Sequence, residues 1–165
     1  MEVAGNGRAG ICLASWSDSD FADDKVDRKS VTGGVVTMDG AVVQWICKKQ
    51  TGVSLSTMEA EFTSASHVAR EILGLRELLS EIGFQVDEPM KMLMDNQASI
   101  KQLESEGSMS SAKHVDVQMK FVCDYAKKGI VKPEFVESRF MKADILTNVL
   151  PAPRMVELRG RFNLH

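Results

Sequence analysis

Apolar residues come in short, evenly broken blocks at the start of the chain and recur every three or four residues further on, which predicts strands first and helices later. Ile11 to Ser17 is a short apolar run closed by Asp18-Ser19-Asp20 and followed by the polar stretch Ala22-Asp23-Asp24-Lys25-Val26-Asp27-Arg28-Lys29, a strand running into a loop. Thr32 to Met38 and Ala41 to Cys47 are rich in Val and Ile and flank Asp39-Gly40, a strong short hairpin signal. Three antiparallel strands therefore open the fold. From Ser56, the residues Ala65, Val68, Ile72, Leu75, Leu79 and Ile82 keep helical spacing until Gly83. Met90 to Met94 predicts another strand, and Asp95-Asn96-Gln97-Ala98-Ser99-Ile100 a turn into a helix ending before Gly107. Val115 to Ala126 predicts a further helix, Pro133 to Glu137 a fifth strand, Ala143 to Leu146 a short helical turn, and Pro153 to about Phe162 a last helix. This order predicts an α/β fold with a five-stranded mixed sheet, three strands antiparallel and two parallel, flanked by helices.

At 165 residues, 44% of them hydrophobic, the chain suits one core rather than two. The expected organisation is a flexible lead over 1–9, a domain over 10–150, and a C-terminal helix over 151–165 packed on it or trailing it. The net charge of -3 supplies no global attraction to nucleic acid, so any such substrate must be argued from a site. Cys12, Cys47 and Cys123 lie in apolar stretches without metal-ligand spacing and read as buried free thiols of a reducing compartment. There is no run of about 18 apolar residues and no apolar leader, which predicts a soluble protein that is not exported and has no membrane partner.

The chemistry-bearing residues are carboxylates. Glu59 and Glu61 lie two apart on the long helix and cannot share a face. Counting back from Ile72, Val68 and Ala65 reaches Glu61, which places it on the apolar stripe. A charge there calls for compensation, and a metal ion is one form of it. Glu59, three residues after Ser56, reads instead as part of a capping box. Asp18 and Asp20 fall on the same side of a strand, so spacing does not separate them. Asp95 follows a strand expected deep in the sheet, where α/β proteins place their ligands; its ordinary role would be a helix N-cap. Asp144 alone reads as a surface aspartate. Together, these strand ends, helix face and helix start can converge on one end of a sheet, and such a cluster of hard oxygen ligands implies Mg²⁺ or Mn²⁺.

These residues also fall into ordered motifs. Ser17-Asp18-Ser19-Asp20-Phe21-Ala22, with Asp27-Arg28-Lys29-Ser30 and Gly33, is followed by Lys48-Lys49-Gln50 and Leu55-Ser56-Thr57-Met58-Glu59-Ala60-Glu61-Phe62. Then come Asp95-Asn96-Gln97-Ala98-Ser99-Ile100, Lys113-His114-Val115-Asp116 and Ala143-Asp144-Ile145-Leu146-Thr147. Over residues 10 to 162 the series resembles the ribonuclease H domain that ends the polyprotein of Ty1/copia-type retrotransposons. The resemblance implies a ribonuclease H-like fold and an endonuclease that hydrolyses the RNA strand of RNA–DNA hybrids during reverse transcription. It implies Asp18, Glu61, Asp95 and Asp144 as catalytic metal ligands, and the choice of Asp18 over Asp20 rests on it alone. In the two-metal scheme, Mg²⁺ ions about 4 Å apart, replaceable by Mn²⁺, clamp the scissile phosphate; Asp18 would bridge both, with Glu61 and Asp95 on one side and Asp144 on the other. Gln97 is the candidate contact to a 2′-hydroxyl, and Arg28, Lys29, Lys48 and Lys49 are candidate phosphate contacts, ordinary surface charge being the plainer reading.

The chain departs from the family pattern at Asn148, usually Lys, and at Asp23-Asp24, usually Gly-Asp. Family members carry a reverse transcriptase polymerase directly upstream, so a chain starting at Met1 reads as an excised fragment, expected to be monomeric and to belong in a cytoplasmic retrotransposon particle. His114, at a helix start well before Asp144, reads as structural rather than as a general base. The rival readings are a catalytically silent ribonuclease H-like fragment or tether, and a DNA-cutting relative on the same fold.

Overall fold

The computed structural model describes residues 10–21, 26–104 and 113–161, with backbone alone for 113–116. The expected lead over 1–9, Asp23-Asp24 and the His114 side chain lie outside what is described. Val-rich alternation builds an antiparallel edge from β1 (Leu13–Asp20), β2 (Val31–Met38) and β3 (Ala41–Lys49). Asp39 and Gly40 turn β2 into β3 with φ of 49° and 87°, the two positive values that suit a turn to the right-handed twist of a hairpin. β4 (Met90–Met94) then pairs parallel with β1, and β5 (Val131–Phe135) parallel with β4, so the sheet runs β3-β2-β1-β4-β5.

The long helix α1 (Thr57–Glu81) covers one face, over β1 and β2. Its N-cap is Ser56, and Gly83, at φ 91°, takes the chain out of the helix. Ala65, Val68, Ile72 and Leu79 are buried as their spacing predicts, whereas Ile82, the C-cap of α1, is exposed. Ala65, Ile72 and Leu79 join Leu13, Val36 and the fully enclosed Met90, Met92 and Met94 in the core. α2 (Gln97–Glu104) and α3 (Lys113–Lys127) pack between α1 and β5. After β5 come a 3₁₀ turn (Ser138–Phe140), the one-turn helix α4 (Asp144–Thr147) on the opposite face, and α5 (Ala152–Arg161). No helix among the described residues is long and apolar enough to cross a membrane.

Three expectations are corrected. β1 continues through Asp20, because β2 pairs with it as far as Asp20–Val31, so Asp18 lies inside the strand rather than after it. β5 begins two residues earlier than expected and includes Pro133; as an edge strand it has a side that needs no donor, and there a proline costs no ladder bond. The cysteines are free but not buried: Cys47 is exposed, and Cys12 and Cys123 are partly so. Cys47 alternates with Val43 and Trp45 on the edge-strand face away from α1, where solvent reaches all three.

Candidate metal centre

Two parallel neighbours, β1 and β4, bring the first carboxylates together. Their register pairs Ser17 with Met94, so Asp18 and Asp95 are the next residues on adjacent strands, at the carboxyl end of the sheet. This is also where connections leave β1 and β4 towards opposite edges, the point at which open α/β sheets bind ligands. Asp95 is not spent on capping α2, since Asn96 Oδ1 accepts from Ser99 N at 3.0 Å instead. Its Oδ2 accepts from Ser138 Oγ at 2.9 Å.

Glu61 arrives from the second turn of α1, whose start is pinned at several points. Ser56 Oγ accepts from Glu59 N at 3.2 Å, and the Glu59 carboxylate reaches back to Leu55 N at 2.6 Å. Glu59 therefore caps the helix, one residue earlier than the reciprocal bond of an ordinary capping box. Gln50, buried at the end of β3, donates to Thr32 Oγ1 and to Ala60 O and accepts from Ser54. Ser64 Oγ donates to Asp18 O, joining the helix to β1. So placed, Glu61 Oε1 accepts from Ser19 Oγ at 2.8 Å. Asp18, Glu61 and Asp95 each offer an oxygen, all within 4.8 Å of one another.

Asp144 stands beside this trio rather than within it. α4 approaches β2 closely because position 33 is glycine: a methyl group there would collide with Thr147 and come within 3.1 Å of Ala143 O. Thr147 Oγ1 then donates to Asp18 Oδ2 from the α4 side. Asp144 Oδ2 faces Arg154 Nη2 at 3.4 Å, and its Oδ1 faces Asn148 Nδ2 at 3.4 Å. Asn148, where lysine was expected, also bonds Thr147 Oγ1 at 3.1 Å.

Burial, above all, pushes the Asp18 carboxyl from 3.8 up to about 6, with Asp95 and Asp144 pushing the same way and the Thr147 bond opposing. Burial pushes Glu61 from 4.5 up to about 8, and repulsion from Asp18 adds to it. Asp144 is raised as well, by burial that the Arg154 bond only partly offsets. Glu61 Oε2 is buried with no hydrogen-bond partner. An orphaned carboxylate oxygen among converging acids fits a hard divalent cation, which supplies the missing countercharge and takes oxygen ligands.

The other residues singled out from the sequence divide. Gln97 is exposed at the first turn of α2, two residues beyond Asp95. Lys49 makes a 2.9 Å ion pair with Asp27, whose carboxylate also takes Lys29 N at 3.1 Å, so these two basic residues brace the loop before β2. Arg28 is exposed in that loop at φ 56°, and Lys48 is exposed on β3. Sequence reasoning missed the groups that hold the carboxylates: Ser19, Thr147, Ser138 and Arg154. Ser19 could have been found, since it stands between Asp18 and Asp20 at the end of β1. Ser138 and Arg154 carry no local signal, because they reach the site only through tertiary contacts.

With strand order and carboxylate placement established, the class is a ribonuclease H fold. LC11-RNase H1 in complex with an RNA/DNA hybrid matches at a TM-score of 0.60 and 12% identity, over 82% of this chain and 94% of that one. The N-terminal RNase H domain of a Mycobacterium tuberculosis protein matches at 0.57 and 14%, over 93% and 98%. No protein-family model matches. By sequence, the chain is 31% identical over 153 residues to the Retrovirus-related Pol polyprotein from transposon TNT 1-94 of Nicotiana tabacum, covering 93% of this chain and 11% of that protein. It is 29% identical over 140 residues to the corresponding polyprotein of transposon RE1 from Arabidopsis thaliana, covering 85% and 10%. The chain is a homologue of retrovirus-related Pol polyproteins of copia-type plant transposons, the family to which its motifs pointed. It spans about a tenth of the length of these curated relatives.

Proposed function

We propose that the chain is the ribonuclease H of such a polyprotein, a metal-dependent endonuclease that hydrolyses the RNA strand of RNA–DNA hybrids during reverse transcription. One observation carries the reading: Asp18, Glu61 and Asp95 present oxygens within 4.8 Å of one another at the carboxyl end of the sheet, with Asp144 alongside. A protein of the same fold has been seen with an RNA/DNA hybrid, which supports the substrate class. Partners in this reading are the hybrid and the polymerase region of the same polyprotein, and its setting is the intracellular retrotransposon particle.

Asp18, Glu61 and Asp95 would hold divalent ions, with Asp144 completing the set; Mg²⁺ is the ion of choice for an all-oxygen site and Mn²⁺ its substitute. Bound there, the ions supply Lewis acidity towards a phosphodiester and its attacking water. The protein's own contribution is placement. Ser19 holds one oxygen of Glu61 and leaves the other bare; Thr147 holds one oxygen of Asp18; Ser138 holds one of Asp95. Each carboxylate is thus oriented without being saturated. Gln97 is the candidate donor to a 2′-hydroxyl, the group that separates RNA from DNA. Arg28 and Lys48 are the better placed of the basic candidates for phosphate, the ammonium groups of Lys49 and, at 4.0 Å, Lys29 being paired with Asp27.

The test is cleavage of a labelled RNA–DNA hybrid, duplex DNA and duplex RNA in Mg²⁺ and in Mn²⁺, with Asp95→Asn alongside. The expected outcome is metal-dependent cutting of the RNA strand of the hybrid alone, lost in the variant. A folded protein that cuts nothing in either metal would mark a catalytically silent module, and cutting of duplex DNA would point to a DNA-cutting relative.

A further inference from the structure

The carboxylates and the hydroxyls that hold them come from β1, β4, α1, the 3₁₀ turn and α4. α5 supplies none of them, yet it sends one side chain to the site. Arg154 is 19% exposed and turns most of its donors toward the 3₁₀ turn and Asp144. Nη1 donates to Arg139 O at 2.7 Å and Nη2 to Ser138 O at 3.0 Å. Nη1 also meets Glu157 Oε2 at 3.1 Å, and Nη2 reaches Asp144 Oδ2 at 3.4 Å. One turn further along, Leu158 is completely buried and anchors the helix. An arginine that merely decorates a surface does not bind two consecutive main-chain carbonyls.

The two carbonyl bonds are the shortest, so the backbone of the 3₁₀ turn sets where the guanidinium sits. Ser138, whose carbonyl Arg154 binds, is the residue whose hydroxyl holds Asp95. The contact to Asp144 is the longest of the four and engages one oxygen, while Asn148 meets the other at 3.4 Å. Asp144 is therefore aimed but not saturated. We propose that Arg154 is a positioning residue for the metal centre, tying α5 to Asp144 directly and to Asp95 through the Ser138 turn. The proposal rests on the metal-dependent nuclease reading above and adds that a helix beyond the last carboxylate governs how well the site holds its ions. Partners of this kind change metal affinity by about 10–100-fold when removed.

A planar fork is essential to this role. Only a guanidinium spans two adjacent carbonyls and a carboxylate at once, and a lysine ammonium does not reproduce that geometry. The opposite expectation also has a physical basis: a cation beside Asp144 could simply compete with a metal ion. The two differ in sign.

The experiment is Mn²⁺ binding to the purified full chain, read from the loss of the free-ion electron paramagnetic resonance signal, for the unaltered protein and for Arg154→Gln, Arg154→Lys and Asp95→Asn. Thermal unfolding in chelator gives the stability of each. Arg154→Gln and Arg154→Lys are both expected to bind Mn²⁺ about tenfold more weakly at a metal-free melting temperature within a few degrees of the parent. If Arg154→Gln does not fold, Arg154→Lys, which keeps the charge, carries the test. Unchanged or tighter binding in Arg154→Gln, or full binding in Arg154→Lys, would overturn the proposal in favour of no role or of charge alone. Asp95→Asn separates the two levels: if it too binds like the parent, the metal-centre reading fails; if it loses binding while the Arg154 variants keep it, only the role of Arg154 falls.

Discussion

Glu61 is buried to 3% exposure with one oxygen unpaired, and its carboxyl is raised to about 8. A carboxyl raised on folding binds its proton more tightly in the folded chain than in the unfolded one. Its contribution favours folding at acid pH and is lost as pH climbs from its ordinary value of 4.5 through about 8. Asp18 adds a like loss between 3.8 and about 6. The metal-free protein is therefore expected to melt several degrees lower at pH 8 than at pH 5. Mg²⁺ or Mn²⁺ should raise the melting temperature most at pH 8, where the ligands are deprotonated. Glu61→Gln removes the buried charge while keeping the shape; it should flatten this pH profile, raise metal-free melting at pH 8 and abolish the metal effect. Scanning calorimetry in chelator decides it, and a parent protein whose melting ignores pH from 5 to 8 would sink the account. Ser19 belongs to this scale too, since its hydroxyl lowers the cost of the Glu61 charge.

Between elements, two adjacent glycines of β2 set the thickness of the molecule at the site. Gly34 faces α1, where an added methyl would come within 2.6 Å of Val68 Cγ2; Gly33 faces α4, with Thr147 and Ala143 against it. The sheet is thus thin where both helices must bring side chains to the end of β1. Gly33→Ala is expected to push α4 outward, costing about 1–3 kcal/mol by overpacking and weakening metal binding, because Thr147 and Asp144 ride on that helix. Gly74→Ala, in the exposed middle of α1 with nothing within 4 Å, should instead stabilise by roughly 0.5–1 kcal/mol. Urea unfolding of the two variants checks both signs, and an unperturbed Gly33→Ala protein would show that α4 has room to give.

Over the whole molecule, a net charge of -3 gives no overall attraction to a polyanion, and of the few candidate phosphate contacts Lys49 is paired with Asp27. Binding to a hybrid should therefore be weak and, with few phosphate contacts, only shallowly dependent on salt. Its relatives are about ten times longer, and the proposed division of labour leaves most of the grip on the hybrid to the polymerase region. Supplying that region is expected to raise cleavage at a fixed ionic strength, mainly by lowering KM. Equal rates with and without it, measured on one hybrid at one salt concentration, would contradict this.

Local pattern by itself determined the order of strands and helices, the Asp39-Gly40 hairpin, and the assignment of Glu59 to the cap and Glu61 to the apolar stripe, although both carboxylates are buried. These are local properties of a chain repeating every 2 or 3.6 residues, and they need no knowledge of neighbours. Asp18 was not separable from Asp20 by period two; the family motifs selected it, and β1–β4 register then set it beside Asp95. The exposure of Cys47 was misjudged because an apolar stretch on an edge strand has one uncovered face, and which face is covered is a fact of packing. Only the tertiary structure decided that Asp144 leans on Arg154 and that Ser138 and Thr147 hold Asp95 and Asp18. Those contacts join residues 10 to 129 positions apart, and a hydroxyl or guanidinium carries no mark in sequence of the carboxylate it will meet once the chain has folded.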